Sequence, residues 1–336
     1  MRGFELYDAG TVKEAVDLLS KHSGRVVKVV GGGSDIVGGV MKDWVQGKGM
    51  PLPEVLIDIT TIKDIVGIRS DGGGTTIGAA TTLSDIIDNK DLGTKLPILT
   101  SAALSVASPL IRNFGTLGGN INQRPRCWYF RNEEFVCLKK GGNRCFAPAG
   151  ENQFHAIFGN GPSHIVHASS LAVPSVAYGA KFRLVGPSGE RLVESRDYFT
   201  MPTMQNVRTE NVLAPDEVLT HVILPPPGNV KTGHYEVRYK ASHDWPIAFA
   251  TVVLGMDGAT IKSARVVMGA VAPVPWRAQA AEQALVGKRL DEATAAAAAE
   301  AALEGARPMS RNGYKVQVAK TAVKRAILQA AGIKTA

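Results

Sequence analysis

The sequence has little that would place it in a membrane, on a nucleic acid or in a disulfide scaffold. No run of about 18 apolar residues is present, so no segment is built to span a bilayer. The start, MRGFELYDAG, lacks the basic-then-apolar layout of a secretory signal, and a soluble, cytoplasmic protein is expected. Aromatic residues make up only 6% of the chain, and the basic residues behind the net charge of +8 are spread out rather than gathered in runs. Such diffuse charge reads first as a solvated face and next as a docking surface for an acidic partner. No aromatic-plus-basic signature of a nucleic-acid reader accompanies it. Cysteine is scarce too: Cys127, Cys137 and Cys145 are the only three. An odd, clustered set argues against a disulfide framework and makes a metal site a candidate. Without a C-x2-C pair, zinc is disfavoured. Without GxGxxG, so is a Rossmann nucleotide site.

What is present points to a two-part α+β protein. The 336 residues, 45% of them apolar, suffice for two domains with sizeable cores. Thr11-Val-Lys-Glu14 is a capping box that opens a first helix through Ala15, Leu18 and Leu19. Strands are expected over Val26 to Val30 and Val55 to Thr60, with a hairpin turn at Asp71-Gly-Gly-Gly74. Helices are expected over Leu83 to Asp88, Leu96 to Val106 and from near Ser169, and a second hairpin turns through Gly186-Pro-Ser-Gly189. Between Gln123 and Val166 no period is sustained, and so long an irregular segment calls for a functional reason. A domain boundary is placed at Pro225-Pro-Pro-Gly228, giving parts 1–226 and 229–336. Beyond it come strands near Ala248 to Leu254 and Ala264 to Met268. Three helices follow, near Trp276 to Leu285, Asp291 to Leu303 and Gly313 to Ala331.

Two glycine-rich turns carry the chemical signal: Gly31-Gly32-Gly33-Ser34-Asp35 and Gly115-Thr116-Leu117-Gly118-Gly119-Asn120. Lacking Cβ atoms, such turns let backbone N–H groups converge on phosphate. One alone is commonly just a tight loop; two on separate segments could hold the two phosphates of a dinucleotide. His22 and His221 read as surface or structural residues, and Trp128, Trp245 and Trp276 as packing residues.

In order and spacing, several pieces resemble the FAD-binding medium subunit of the molybdenum hydroxylases, the family of xanthine dehydrogenase and carbon monoxide dehydrogenase. They are Phe4-Glu-Leu-Tyr7, Glu14-Ala-Val-Asp-Leu-Leu19, Val30-Gly-Gly-Gly-Ser-Asp35, Ile77-Gly-Ala-Ala-Thr-Thr-Leu83 and Ile111-Arg-Asn-Phe-Gly-Thr-Leu-Gly-Gly-Asn120. Pro215-Asp-Glu217, Gly269-Ala-Val-Ala-Pro-Val-Pro-Trp-Arg277 and Asn312-Gly-Tyr-Lys-Val316 continue the series. The resemblance implies an FAD-binding domain of two subdomains, of the vanillyl-alcohol-oxidase/PCMH type, then an antiparallel sheet with three helices. It implies FAD contacts at Val29, Val30, Gly31, Gly32, Gly33, Ser34, Asp35 and Ile36, and at Thr116, Leu117, Gly118, Gly119 and Asn120. An apolar flavin neighbour falls on Leu219. Two positions depart from the pattern: Ser170 stands where the family has an acidic residue, and a customary lysine is replaced near Glu236, with Lys240 as the possible substitute.

The cysteine segment, with Gln123-Arg-Pro-Arg-Cys-Trp-Tyr-Phe130 and His155-Ala-Ile-Phe158, resembles a narrower branch. That branch is typified by 4-hydroxybenzoyl-CoA reductase and the bacterial aldehyde oxidoreductases. It implies a 4Fe–4S cluster on Cys127, Cys137 and Cys145, with the fourth position on Ser163; His164, His167 or solvent could complete it instead, or the cluster could be lost. The implied role is electron transfer from 2Fe–2S centres of a small subunit through FAD to an external acceptor, while a large molybdopterin subunit oxidises the substrate. No catalytic acid or base is expected here. A partner carrying an export signal could take the chain to the periplasm. Two rivals stand beside this reading: a self-sufficient FAD-dependent oxidase or reductase, and a non-enzymatic metal-binding scaffold.

Overall fold

The computed structural model describes residues 3–41, 50–240 and 244–333. Three short strands, β1 (Glu5–Asp8), β2 (Val27–Val30) and β3 (Val55–Asp58), form a parallel sheet with β3 in the centre. The helix Val12–Lys21 crosses between β1 and β2, and its Ala15, Val16 and Leu19 are buried against the sheet's Val55 and Ile57. Thr11 caps it, accepting the Glu14 amide at 3.1 Å. The Glu14 carboxylate reaches back to Gly10 N–H at 2.8 Å, so the capping box closes one residue early.

The second layer is a five-stranded antiparallel sheet of β4 (Ile68–Asp71), β5 (Gly74–Gly78), β6 (Lys181–Gly186), β7 (Gly189–Glu194) and β8 (Val218–Leu224), in the order β4-β5-β8-β6-β7. Both expected hairpins are there, with Asp71 paired to Gly74 and Gly186 to Gly189. Helices Leu83–Asp88, Pro97–Leu104 and Ala172–Tyr178 join a core built on Ile77, Leu99, Phe182 and Val222. The last begins three residues after the expected Ser169, whose hydroxyl oxygen accepts the Ala172 amide at 2.9 Å and donates to Asn120. From 123 to 166 the described chain holds only the single turn of 3-10 helix Leu138–Lys140.

The chain then builds an antiparallel sheet of β9 (Val230–Arg238), β10 (Pro246–Asp257), β11 (Thr260–Gly269) and β12 (Trp276–Arg277). β10 and β11 run longer than their apolar centres because the flanking residues pair up to Asp257 and Thr260. Three helices, Gln279–Leu285, Glu292–Ala301 and Tyr314–Ala331, cover one face. From this sheet Phe249 and Val267, and Ala270 just past the end of β11, reach into the core of the preceding part, so the two parts share apolar surface. No described helix is long and apolar enough to cross a membrane.

Candidate functional site: a cleft between two glycine turns

β2 ends at Val30, whose carbonyl takes the Ile59 amide at 3.1 Å, and the chain then turns through Gly31 to Ile36. Gly33 has φ +70°, a conformation costly for any residue with a Cβ. The turn closes through Val37 N–H to Gly33 O at 2.8 Å. Among the described residues, no main-chain carbonyl takes the amides of residues 31–36. Six donors are therefore left at the end of a strand.

The second turn lies directly against the first. A Cβ on Gly32 would stand 1.6 Å from the Phe114 carbonyl oxygen, and one on Gly31 would stand 2.5 Å from Thr116 Oγ1. Only a turn without Cβ atoms at these two positions can come so close to Phe114 and Thr116. The two bends, more than eighty positions apart in sequence, are thus brought together.

They do not contribute alike, and here the expectation needs correcting. The amides of Leu117 and Gly118 go to the carbonyls of Thr81 and Ala79, at 2.9 and 2.8 Å. Gly119 N–H goes to Thr116 Oγ1 at 3.1 Å and Asn120 N–H to Thr116 O at 2.9 Å. The second turn is a five-residue helix, Leu117–Ile121, capped by Thr116, and its amides from 117 to 120 are already engaged. It backs the first turn rather than doubling it. Leu117 is fully buried in the core and does not line the cleft.

Between and beside the turns opens a cleft of about 800 Å³, inside the range of roughly 300–1,000 Å³ typical of cofactor sites. Val29, Val30, Gly31 to Ile36, Thr116, Gly118, Gly119, Asn120, Ser170 and Leu219 all line it. The Asn120 amide oxygen accepts the Ser169 hydroxyl at 2.7 Å and the Leu171 amide at 3.3 Å, holding Ser170 at the wall. Lys240 is not brought there: it is exposed beyond the end of β9, and Arg238 lines the cleft instead. β9 ends at Arg238, so the strand no longer directs Lys240, two residues further on, toward the cleft. Buried Glu236 holds that guanidinium, which also donates to Ser105 O at 2.6 Å.

The sequence reading missed the part that the cysteine segment plays in the cleft wall. Arg124, Arg126 and Lys139 line it, together with Glu210 from the opposite loop. Asp35 of the first turn is paired with Arg126 at 2.8 Å and Arg131 at 2.9 Å, and accepts Arg124 N–H at 2.8 Å. Buried Glu210 is paired with Lys139 at 2.6 Å and Arg124 at 2.7 Å. Burial opposes its charge, but these two cations hold its carboxyl below the usual range. Trp245 is not a buried packing residue. It is 48% exposed, lines the cleft, and has the Arg126 guanidinium 4.7 Å from its ring centre. Trp276, stacked on Phe158, does pack as expected. The readable signal was an arginine-rich stretch beside an acidic glycine turn.

The three cysteines are free. Cys127 and Cys137 share a small apolar cluster with Phe130 and Phe146. The amides of Phe130 and Tyr129 reach the Cys127 sulfur, and those of Lys140 and Lys139 the Cys137 sulfur. Burial pushes the Cys127 thiol up to about 12, and its sulfur lies 3.1 Å from His155 Nε2. Among the described residues, no three His, Cys, Asp or Glu side chains form a group that could hold a metal ion. The expected set of Cys127, Cys137, Cys145 and Ser163 is therefore not assembled around a single ion, and Ser163 is buried away from the cleft lining.

A strand-end turn offering free amides, an opposed glycine turn and a long, mostly apolar cleft define a dinucleotide-binding protein without a Rossmann turn. The chain belongs to the family described as the FAD binding domain in molybdopterin dehydrogenase, matched over residues 2–227, with a CO dehydrogenase flavoprotein C-terminal domain over 233–330. It is 29% identical to an aldehyde oxidoreductase FAD-binding subunit of Escherichia coli, over 98% of this chain and 99% of that one. It is 30% identical to the carbon monoxide dehydrogenase medium chain of Afipia carboxidovorans, over 97% and 96%. In structure it is similar to a chain of carbon monoxide dehydrogenase from Hydrogenophaga pseudoflava. The TM-score is 0.74, at 29% identity, with 98% of both chains covered.

Proposed function

We propose that this chain binds FAD in the cleft and is the electron-transferring subunit of a multi-subunit molybdenum hydroxylase. It stands between the 2Fe–2S centres of a small partner subunit and an external acceptor, while a large molybdopterin subunit oxidises the substrate. The observation that carries the reading is the contact of Gly31 and Gly32 with Phe114 and Thr116, beside six uncommitted amides. Those amides would hold the diphosphate, with Thr116 behind them. Leu219, Ser170 and Trp245 would flank the remainder, in the two-subdomain arrangement of the PCMH type. When bound, FAD supplies a redox centre able to exchange electrons singly or in pairs. The protein's part is to orient it and exclude water. Exposed Leu110 and Phe114, at 75% and 68%, stand on the helix Pro109–Phe114 that leads into the second turn and suit a surface covered by a partner.

Purification from the host under native conditions tests this. Flavin absorbance near one FAD per chain is expected, with both partner subunits in the same peak. A chain that stays colourless after incubation with FAD sinks the proposal. Turnover of a small substrate by the chain alone would favour the self-sufficient oxidase or reductase instead.

A second part of the proposal concerns the cysteine segment. We assign it a 4Fe–4S cluster on Cys127, Cys137 and Cys145, with Ser163 at the fourth position. Three clustered thiols, with amides directed at two of the sulfurs, support it. Iron and acid-labile sulfide near zero in anaerobically purified protein would remove the cluster and leave the FAD site untouched.

A further inference from the structure

The Nε of Arg126 is buried and has no acceptor among the described residues, although the same guanidinium is held from two other sides. One Nη donates to Gln123 Oε1 at 3.2 Å and lies 2.8 Å from Asp35 Oδ1, and the flat face rests on Trp245. Arg126, Asp35 and Trp245 all line the same cleft. They come from the cysteine segment, the first glycine turn and the start of β10, so one side chain joins three separate walls. An uncompensated buried donor costs free energy, and a ligand oxygen in the cleft removes that cost.

We propose that Arg126 is a direct contact of the bound dinucleotide, on the side of its diphosphate, and that the cysteine segment closes the cleft as a clasp whether or not it carries a metal. The acceptor must be oxygen-rich and anionic, because the donor is a guanidinium already placed beside the turn whose amides face the same ligand. The stacking on Trp245 keeps the planar group in register across the opening. Lysine could not replace it, since an ammonium has neither the fork nor the flat face.

The inference rests on the FAD reading given above, and its test separates the two. In the purified complex, FAD is released into excess apoprotein or trapping agent and followed by flavin fluorescence. Arg126→Gln is expected to raise the FAD dissociation constant by roughly tenfold to a hundredfold, the usual range for losing a hydrogen bond to a charged group. Arg126→Lys is expected to recover less than half of that loss on a logarithmic scale. The melting temperature of the FAD-free form should move little in either variant, which separates ligand contact from simple support of the fold. Trp245→Ala, at an exposed position that no core depends on, is expected to speed release severalfold and serves if Arg126→Gln does not assemble. A folded Arg126→Gln, or failing that Trp245→Ala, with a dissociation constant within twofold of wild type overturns the clasp. A complex without any FAD overturns the earlier reading instead.

Discussion

Gly32 decides whether the two turns can meet. Any Cβ there would overlap the Phe114 carbonyl, a backbone atom that cannot rotate away. Gly32→Ala must therefore push the turns apart, at a cost of about 3 kcal/mol, the upper end for overpacking. The loss should appear twice, as a lowered melting temperature and as an FAD content well below one per chain in the purified complex. Full FAD occupancy in the alanine variant would show that the approach of the turns is incidental to binding. The glycines were legible in the sequence because no other residue gives a chain this freedom. Which amides stay free was not legible. That depends on Ala79 and Thr81, which claim the Gly118 and Leu117 amides from a segment some forty positions earlier. The inward turn of Arg238 rather than Lys240 was hidden for the same reason: it is set by where β9 ends, not by the residue type.

Among the elements, the start of the helix Tyr314–Ala331 does more than cover the sheet. Asn312 donates to the carbonyls of His155 and Ala156, at 3.1 and 3.2 Å. Fully buried Lys315 donates to Phe154 O, His155 O and Ala270 O, at 3.1, 3.0 and 2.7 Å. The irregular segment after the cysteines thus borrows from this helix the partners that a strand would have given its carbonyls. Burial pushes the Lys315 ammonium down to about 7, while in the unfolded chain it titrates near the usual lysine value. Between these limits the unfolded state binds more protons, so stability rises with pH from about 7 upward. Wild type should gain about 1–2 kcal/mol between pH 7 and 8.5 relative to Lys315→Met, which cannot titrate there. Urea unfolding of both proteins at the two pH values gives that difference, and parallel profiles would mean that the lysine stays protonated in the native state. The last helix and the apolar run at the centre of β10 were readable from the sequence. Pro109–Phe114 and Leu117–Ile121 were not, since the first runs into, and the second falls on, the glycine-rich stretch that reads as a turn.

At the scale of the whole molecule, the break in composition at Pro225-Pro-Pro-Gly228 does not separate two independent cores. Phe249 and Val267 of the last sheet, with Ala270 just beyond it, are buried among Leu99, Tyr178 and Phe182 of the first part. Arg265 donates to Ala177 O at 3.3 Å, and Ser105 donates to Glu236 at 3.0 Å across the same junction. Burying a phenylalanine alone is worth roughly 1.5–3 kcal/mol, a large share of the net stability of an ordinary domain. The cleft depends on the junction as well, because Arg238, Trp245 and Pro246 form one of its walls. A chain cut after residue 227 would keep both glycine turns yet lose that wall and expose the shared apolar surface. It should bind FAD at least tenfold more weakly than the full chain, or fail to fold. In the full chain, flavin release and loss of far-ultraviolet circular dichroism should share one denaturant midpoint, as cooperative unfolding of a shared core requires. Two separated transitions, with flavin retained through the first, would mean that the C-terminal sheet is an appendage and that the nucleotide is held by the first part alone.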